Sequence, residues 1–585
     1  MAKHLFWCRG RGTLAAVGLA VLGACGGGGG AEDPGSPPPP AVIEKPATRD
    51  EAARFLTQAT FGPTDADIDR VMAVGYGAWI NEQLALPTAS HQATWEATDA
   101  ALKAAGSAGG HDQVYETFWR QALTGPDQLR QRVAFALSQI FVISLADGAV
   151  SDNARAVAAW MDMLGTQGLG TYRSLLESVS RHPTMGIYLS HLRNQKADAR
   201  TGRVPDENYA REVMQLFSIG LVQLNEDGSA KTGAGSGDTY TPADISGMAR
   251  VFTGWSWACP DWPDNGCFFN GNVGGVSDPD RSFKPMLGYP QYHSTEAKTF
   301  LGTTLAAQTT SDPAADLKAA LDTLAAHPNV GPFIGRQLIQ RLVTSNPSPA
   351  YITAVSRAFA DNGAGVRGDM KAVIKAVLMN PEARTMNDRS GKVREPVLRL
   401  SAFLRAFPHQ SDSGRFRVGN TDNPSTQLGQ TAMRSPSVFN FYRPGYTAPG
   451  TAAAASGMVA PELQIAHETS AAGYVNYMRD NISGGVGASN TINGVTRRDL
   501  QRSYTAELAL ADQPVALVDR VASRLMYGTA GTALKTDISD TIAKIAIPVL
   551  NSGGTNQAAI DTARRNRGNA AILLVVASPE FQVQK

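Results

Sequence analysis

The chain has 585 residues, 43% of them hydrophobic and 18% charged, a globular composition with enough apolar mass for one large or two to three smaller lobes. Lys and Arg total 53 against 52 Asp and Glu, a net charge of +1. With no basic stripe and no single-sign tail, the balance speaks against nucleic acid as a partner.

The chain begins with a targeting pattern. Lys3, Arg9 and Arg11 precede TLAAVGLAVLGA over 13–24, an apolar run too short to span a bilayer comfortably and of signal-peptide length. It ends in Leu22-Gly23-Ala24-Cys25, which resembles the bacterial lipobox, in which the Cys is lipidated and becomes the new N-terminus. A plain secretory signal with an incidental Cys is the alternative. The following GGGGGAEDPGSPPPP (26–40) has no means of packing: Gly makes it flexible and the Pro run extends it, as a tether requires. Residues 1–24 are thus expected as a lipoprotein signal peptide, 25–47 as lipidated Cys25 plus tether, and 48–585 as the body. Several acyl chains on one Cys would hold a membrane stably at about 0.8 kcal/mol per buried methylene. Gly26 after the Cys, rather than Asp, fits sorting to the outer membrane of a Gram-negative cell, by resemblance to known sorting rules.

From about residue 48 the spacing of apolar positions is helical. Thr64 and Asp67 form a capping-box start ahead of Ile68, Val71 and Met72, and 127–144, nearly all apolar after Arg132, reads as a central buried helix. The stretch 172–183 predicts another. PDENYAREVMQLFSIG (205–220) predicts an amphipathic helix. In YTPADISGMARVFTGW, Thr241 caps, Pro242 sits in the first turn and Asp244 completes the box, so Ile245, Met248 and Val251 or Phe252 face inward until Gly254 stops the helix. Residues of about 225–300 are otherwise rich in Gly, Asp, Pro and aromatics without a sustained period, and read as an irregular insertion with a small hairpin. Of the 4 Cys, Cys8 and Cys25 belong to the targeting segment. Cys259 and Cys267 then read as a disulfide, worth about 2.5 kcal/mol on the chain-entropy estimate; two free thiols are the alternative. The ligands there are too few for a metal site. Helical patterns resume to Pro381 and over 392–407, 483–495 reads as a flexible loop, and 498–585 is helical again. The fold class is mainly α: a multi-helix globular body with little strand.

Six blocks carry a resemblance: FLTQATFGPTDADIDRVMAVGYGAWINEQLA, DENYAREVMQLFSIGL, YTPADISGMARVFTGW, HSTEAKTFLG, FIGRQLIQRLV and LGQTAMRSPSVFNFYRPGY. In this order they resemble the bacterial domain-of-unknown-function family 1800, across nearly the entire body. The resemblance implies an exported protein, often encoded beside a second exported protein with a phosphatase- or sulfatase-like fold. It brings no agreed catalytic residues and no cofactor. The blocks between 225 and 300 look longer here than the family's minimal pattern.

The candidate site is the polar arc of 205–220. At 100° per residue, Glu207, Asn208, Arg211, Glu212, Gln215 and Ser218 share one side, opposite Tyr209, Val213, Met214, Leu216 and Phe217. The plain account is a wet face with a Glu207–Arg211 pair worth about 0.3–0.5 kcal/mol. The arc lacks Lys, however, and uses the directional groups of Asn, Gln and Arg, which fits a face turned toward another helix or a cleft. Two readings follow. The first is a binding or assembly protein at the outer membrane, with Asn208 and Gln215 as contact groups. The second is a hydrolase of an envelope polymer, with Glu207, Arg211, Glu212 and His293 as the catalytic set and Lys298 beside it. No HExxH, GxSxG, P-loop, GxGxxG opening a helix, or CxxCH is present, and His182 and His191 flank the segment just before the arc. Trp255 and Trp257, near Trp262, Phe268 and Phe269, form an aromatic group suited either to stacking on sugar rings or to a small satellite core. Arg443 is expected to satisfy carbonyls around SVFNFYRPGY.

Overall fold

A computed structural model describes residues 44–233, 237–387 and 389–585. The signal peptide, Cys25 and all but the last residues of the expected tether lie outside them. Among the described residues there are 26 α-helices, and all but two of the strands are two or three residues long, so the body is mainly α. No helix there is long and apolar enough to cross a membrane.

The expected starts form as the caps dictate. Thr64 and Asp67 close a reciprocal box on the helix Asp65–Val74, and Thr241 with Asp244 does the same for Pro242–Val251, each satisfying two orphan end groups. The inward residues Ile245, Met248, Val251 and Phe252 are all buried. At the centre lies Gln128–Ser138, buried from Gln128 through Leu137, with Tyr76–Ala85, His111–Thr124, Ala154–Gln167 and Val330–Leu342 packed around it. It stops earlier than its apolar run predicts. Residues 139–144 leave the helix yet stay buried, and Leu145 N–H donates to Met433 O (2.8 Å). Ile140, Val142 and Ile143 are β-branched, a class that loses χ1 freedom in a helix.

A second layer stacks Val330–Leu342, Pro349–Ala360 and Met370–Met379, and a third joins Pro514–Met526, Thr532–Ala543 and Gln557–Ala577. The short strand Val583–Gln584 pairs antiparallel with Lys392–Val393. One buried apolar cluster runs through all three layers.

The stretch expected as a loop at 483–495 is ordered differently. It takes the end of the helix Glu468–Gly484, the strand Val486–Ile492 and the start of the strand Val495–Arg502. With His409–Ser411 these strands make a three-stranded antiparallel sheet. Asn493 and Gly494 both have positive φ, 51° and 78°, the conformation that an Asn-Gly hairpin turn demands. The insertion of about 225–300 holds Pro242–Val251, a short helix Asn265–Asn270 and several two- or three-residue strand pairs. Cys259 and Cys267 are disulfide-bonded, and with Phe268 and Tyr289 they form a separate small core. Trp255 and Trp257 belong to the main core instead.

Candidate functional site

The helix of the polar arc is Asn208–Gln215, shorter than its wheel predicts. Its start is fixed from outside. Asp206 accepts from the Asn208 N–H (2.8 Å) and from Ser190 Oγ (3.0 Å), taking the capping role. Asn194 clamps Asp206 by accepting from its N–H (2.9 Å) and donating to its carbonyl (3.2 Å). The Asn194 backbone carbonyl accepts from the Gly254 N–H (2.7 Å), so one residue, through side chain and backbone, joins this helix to the insertion. The end is a reversal in which the Gly220 N–H donates to Met214 O (3.1 Å) with Gly220 at φ 71°, a glycine-closed helix end.

Tyr209, Ala210, Val213 and Met214 face inward and are buried. Tyr209 stacks on His191 with ring centroids 3.9 Å apart, and its hydroxyl donates to Ser180 Oγ (2.7 Å). His191 Nε2 donates to Ser180 O (2.9 Å). Burial draws the His191 pKa down to about 4 and that of His182 to about 3, so both rings are neutral near pH 7.

The outer arc is divided. Glu207 and Arg211 have side chains 43% and 46% exposed and face each other at 3.8 Å. Glu207 also accepts from Ser246 Oγ (2.6 Å), and Gln215 accepts from the Tyr240 hydroxyl (3.2 Å). Asn208 is exposed and reaches Ser190 Oγ at 3.4 Å. Glu212 departs from the wet-face account: it is buried, and among the described residues its Oε2 has no hydrogen-bond partner. Burial pushes its carboxyl above the ordinary range, and Arg211 draws it partly back.

The sequence model of the family described as "Protein of unknown function (DUF1800)" matches residues 54–583. The chain belongs to this family. No curated protein and no solved structure matches it.

In this DUF1800 chain the remaining candidates lie apart from the open face. His293 is fully buried, with Nδ1 donating to Thr253 O (2.7 Å) and Nε2 to Asp316 Oδ2 (2.9 Å). Lys298, also fully buried, pairs with the same carboxylate oxygen at 2.8 Å and donates to Ser294 O (2.7 Å). Burial alone would raise Asp316, but His293 and Lys298 hold it below the usual carboxylate value. The trio ties the insertion to the helix Pro313–Ala326, and His293 has no free ring nitrogen. Trp255 donates its indole N–H to Val251 O (3.2 Å), and the Trp257 carbonyl accepts from the Tyr289 hydroxyl (2.6 Å); both Trp are buried, against the sugar-stacking expectation. Arg443 lies exposed over the Phe439 ring at 4.7 Å rather than among carbonyls. A cleft of ≈ 370 Å³ opens elsewhere, lined among others by Arg54, Tyr76, Glu382 and Arg384 and by none of the arc residues. Among the described residues no group of three His, Cys, Asp or Glu side chains suits a metal ion.

Sequence reasoning missed a buried charge centre. Arg132, Arg341, Lys392, Glu395, Tyr442 and Glu462 are all buried and come from five separate segments, Lys392 and Glu395 sharing one. Glu395 Oε2 accepts from Gln139 Nε2 (2.6 Å) and Gln430 Nε2 (2.7 Å), and Lys392 pairs with Glu462 at 3.0 Å. Arg132 donates to Arg341 O (2.6 Å) and Arg341 to Gln139 O (2.9 Å). Burial raises the Glu462 carboxyl against the pull of Lys392, and burial with Glu395 and Glu462 nearby holds Tyr442 well above its usual value. The available signal was an Arg among the apolar positions of a helix, Arg132 beside Leu129 and Val133, and Arg341 between Leu338 and Leu342.

Proposed function

We propose that this protein is a lipid-anchored envelope protein that binds or assembles a partner through the face of Glu207, Asn208, Arg211 and Gln215. One observation carries the reading: the solvent-open Glu207–Arg211 pair shares its helix arc with the buried Glu212, whose Oε2 has no hydrogen-bond partner among the described residues. An unmade bond at a buried carboxylate costs about 1–3 kcal/mol or more, and docking that turns the arc far enough to bring a donor to this enclosed oxygen would relieve it. The hydrolase alternative draws no support from His293, whose two nitrogens are spent on Thr253 and Asp316.

The partner that family membership favours is an exported protein with a phosphatase- or sulfatase-like fold. The anchor is Cys25, carried by the lipobox-like Leu22–Cys25 and the Gly/Pro tether, and the location is the outer membrane of a Gram-negative cell. Two measurements test the reading. A photo-crosslinking residue at position 208 of the membrane-bound protein should give one dominant adduct, lost in Glu207→Ala and Arg211→Ala; unchanged adducts in both variants would remove the face from the proposal. Cys25→Ser should shift the protein from the membrane to the soluble fraction, and retention in the membrane would remove the anchor.

A further inference from the structure

A second surface lies on the loop closed by the Cys259–Cys267 disulfide. Trp262 within it is 44% exposed, and Phe269 just after it is 40% exposed, while Trp255 and Trp257 nearby are buried. Large aromatic side chains left in water are informative because folding normally covers them.

Trp262 is held in place. Its indole N–H donates to Gly288 O (2.9 Å), and its ring meets Tyr289 edge-on at 6.4 Å. Phe269 is braced by Phe268 at 5.0 Å and Tyr292 at 5.4 Å. A connected polar row joins the two rings. Gln291 Nε2 donates to Pro263 O (2.5 Å), and the Tyr292 hydroxyl donates to Asn265 Oδ1 (2.8 Å). Along this row Asp261 forms no ion pair among the described residues, and Asp264 uses one oxygen on the Gly266 N–H (2.6 Å). At the rim, Arg193 donates to Phe269 O (3.1 Å).

We propose that this surface binds a neutral oligosaccharide, with one sugar ring on Trp262 and another toward Phe269. The apolar face of a sugar packs on an aromatic ring, and its hydroxyls donate to carboxylate and amide oxygens of the kind Asp261, Asp264 and Gln291 present. A disulfide-closed loop and an anchored indole leave little side-chain entropy to lose on binding. Asp261 and Asp264 repel polyanionic glycans. Arg193 keeps the rim from being acidic throughout, which favours an uncharged ligand over a cationic one.

The test is calorimetric titration of the full chain in detergent with cellohexaose, maltohexaose and chitohexaose. A hyaluronan hexamer and an octalysine peptide serve as charged probes, with wild type, Trp262→Phe and Trp262→Ala compared. We expect saturable binding of at least one neutral hexasaccharide, about tenfold or more weaker in Trp262→Ala and nearly intact in Trp262→Phe. Reduction of the disulfide should also weaken it, with the circular dichroism of the body unchanged. The proposal falls if no neutral hexasaccharide binds up to ~10 mM, if Trp262→Ala binds as wild type, or if only the charged probes bind.

Discussion

Burial pushes the Glu212 carboxyl above its ordinary value, and Arg211 beside it draws it back only in part. Between the unfolded value near 4.5 and the raised one, the native state holds a proton that the unfolded chain has released. Stability therefore falls as pH climbs through that window and is flat above it. Glu212→Gln should remove this slope, read as the change in Tm between about pH 4 and pH 8; an unaltered profile would place Glu212 in water. In the charge centre, Glu395 accepts from both Gln139 and Gln430 close to Arg132 and Arg341. Removing its carboxylate leaves two buried amide donors without an acceptor and two guanidinium groups short of counter-charge. Glu395→Ala should cost ~3–5 kcal/mol in a urea melt, where a loss under ~1 kcal/mol would match an exposed pair instead. The polar arc was legible residue by residue, since Asn208 and Arg211 are exposed and Tyr209 and Val213 are buried as the wheel requires. Glu212 was not, because the wheel knows which side of a helix a residue takes but not what closes over it.

At the scale of elements, local chemistry placed helix starts well and ends less well. Thr64/Asp67 and Thr241/Asp244 act within four residues, so their boxes form as read. The arc helix ends at Gln215 because the chain must reverse at Gly220, where a Cβ would stand 2.8 Å from the Phe333 ring. Gly220→Ala should therefore destabilise by about 2 kcal/mol or more, from the left-handed backbone cost plus the clash. Faster amide exchange over 208–220 would accompany it, and a neutral effect would mean that the reversal is not fixed. The hairpin at 486–502 was legible and overlooked: Asn493-Gly494 is the strongest short hairpin signal there is, masked by the Gly and Ser residues before it.

For the whole molecule, His182 and His191 set an acid limit. Burial lowers their pKa values to about 3 and about 4 from 6.5, so the unfolded chain binds protons that the native state refuses. Their contribution is complete above pH 6.5 and is lost as pH falls toward 4 and then 3. This slope opposes that of Glu212 where the windows overlap, and single variants separate them. His191→Gln should flatten the acid limb of urea midpoints between about pH 4 and pH 6.5; an unchanged limb would assign the acid sensitivity elsewhere. The sequence by itself determined the helical class, the capped starts and the amphipathic arc, and brought Cys259 and Cys267 close enough to pair, because each depends on neighbours a few residues apart. Only the tertiary structure decided that His293 serves Asp316 and Lys298, that Trp262 and not Trp255 meets solvent, and that five separate segments bury their polar groups together. Those outcomes depend on which side chains lose water to one another across hundreds of residues, a quantity that no local spacing encodes.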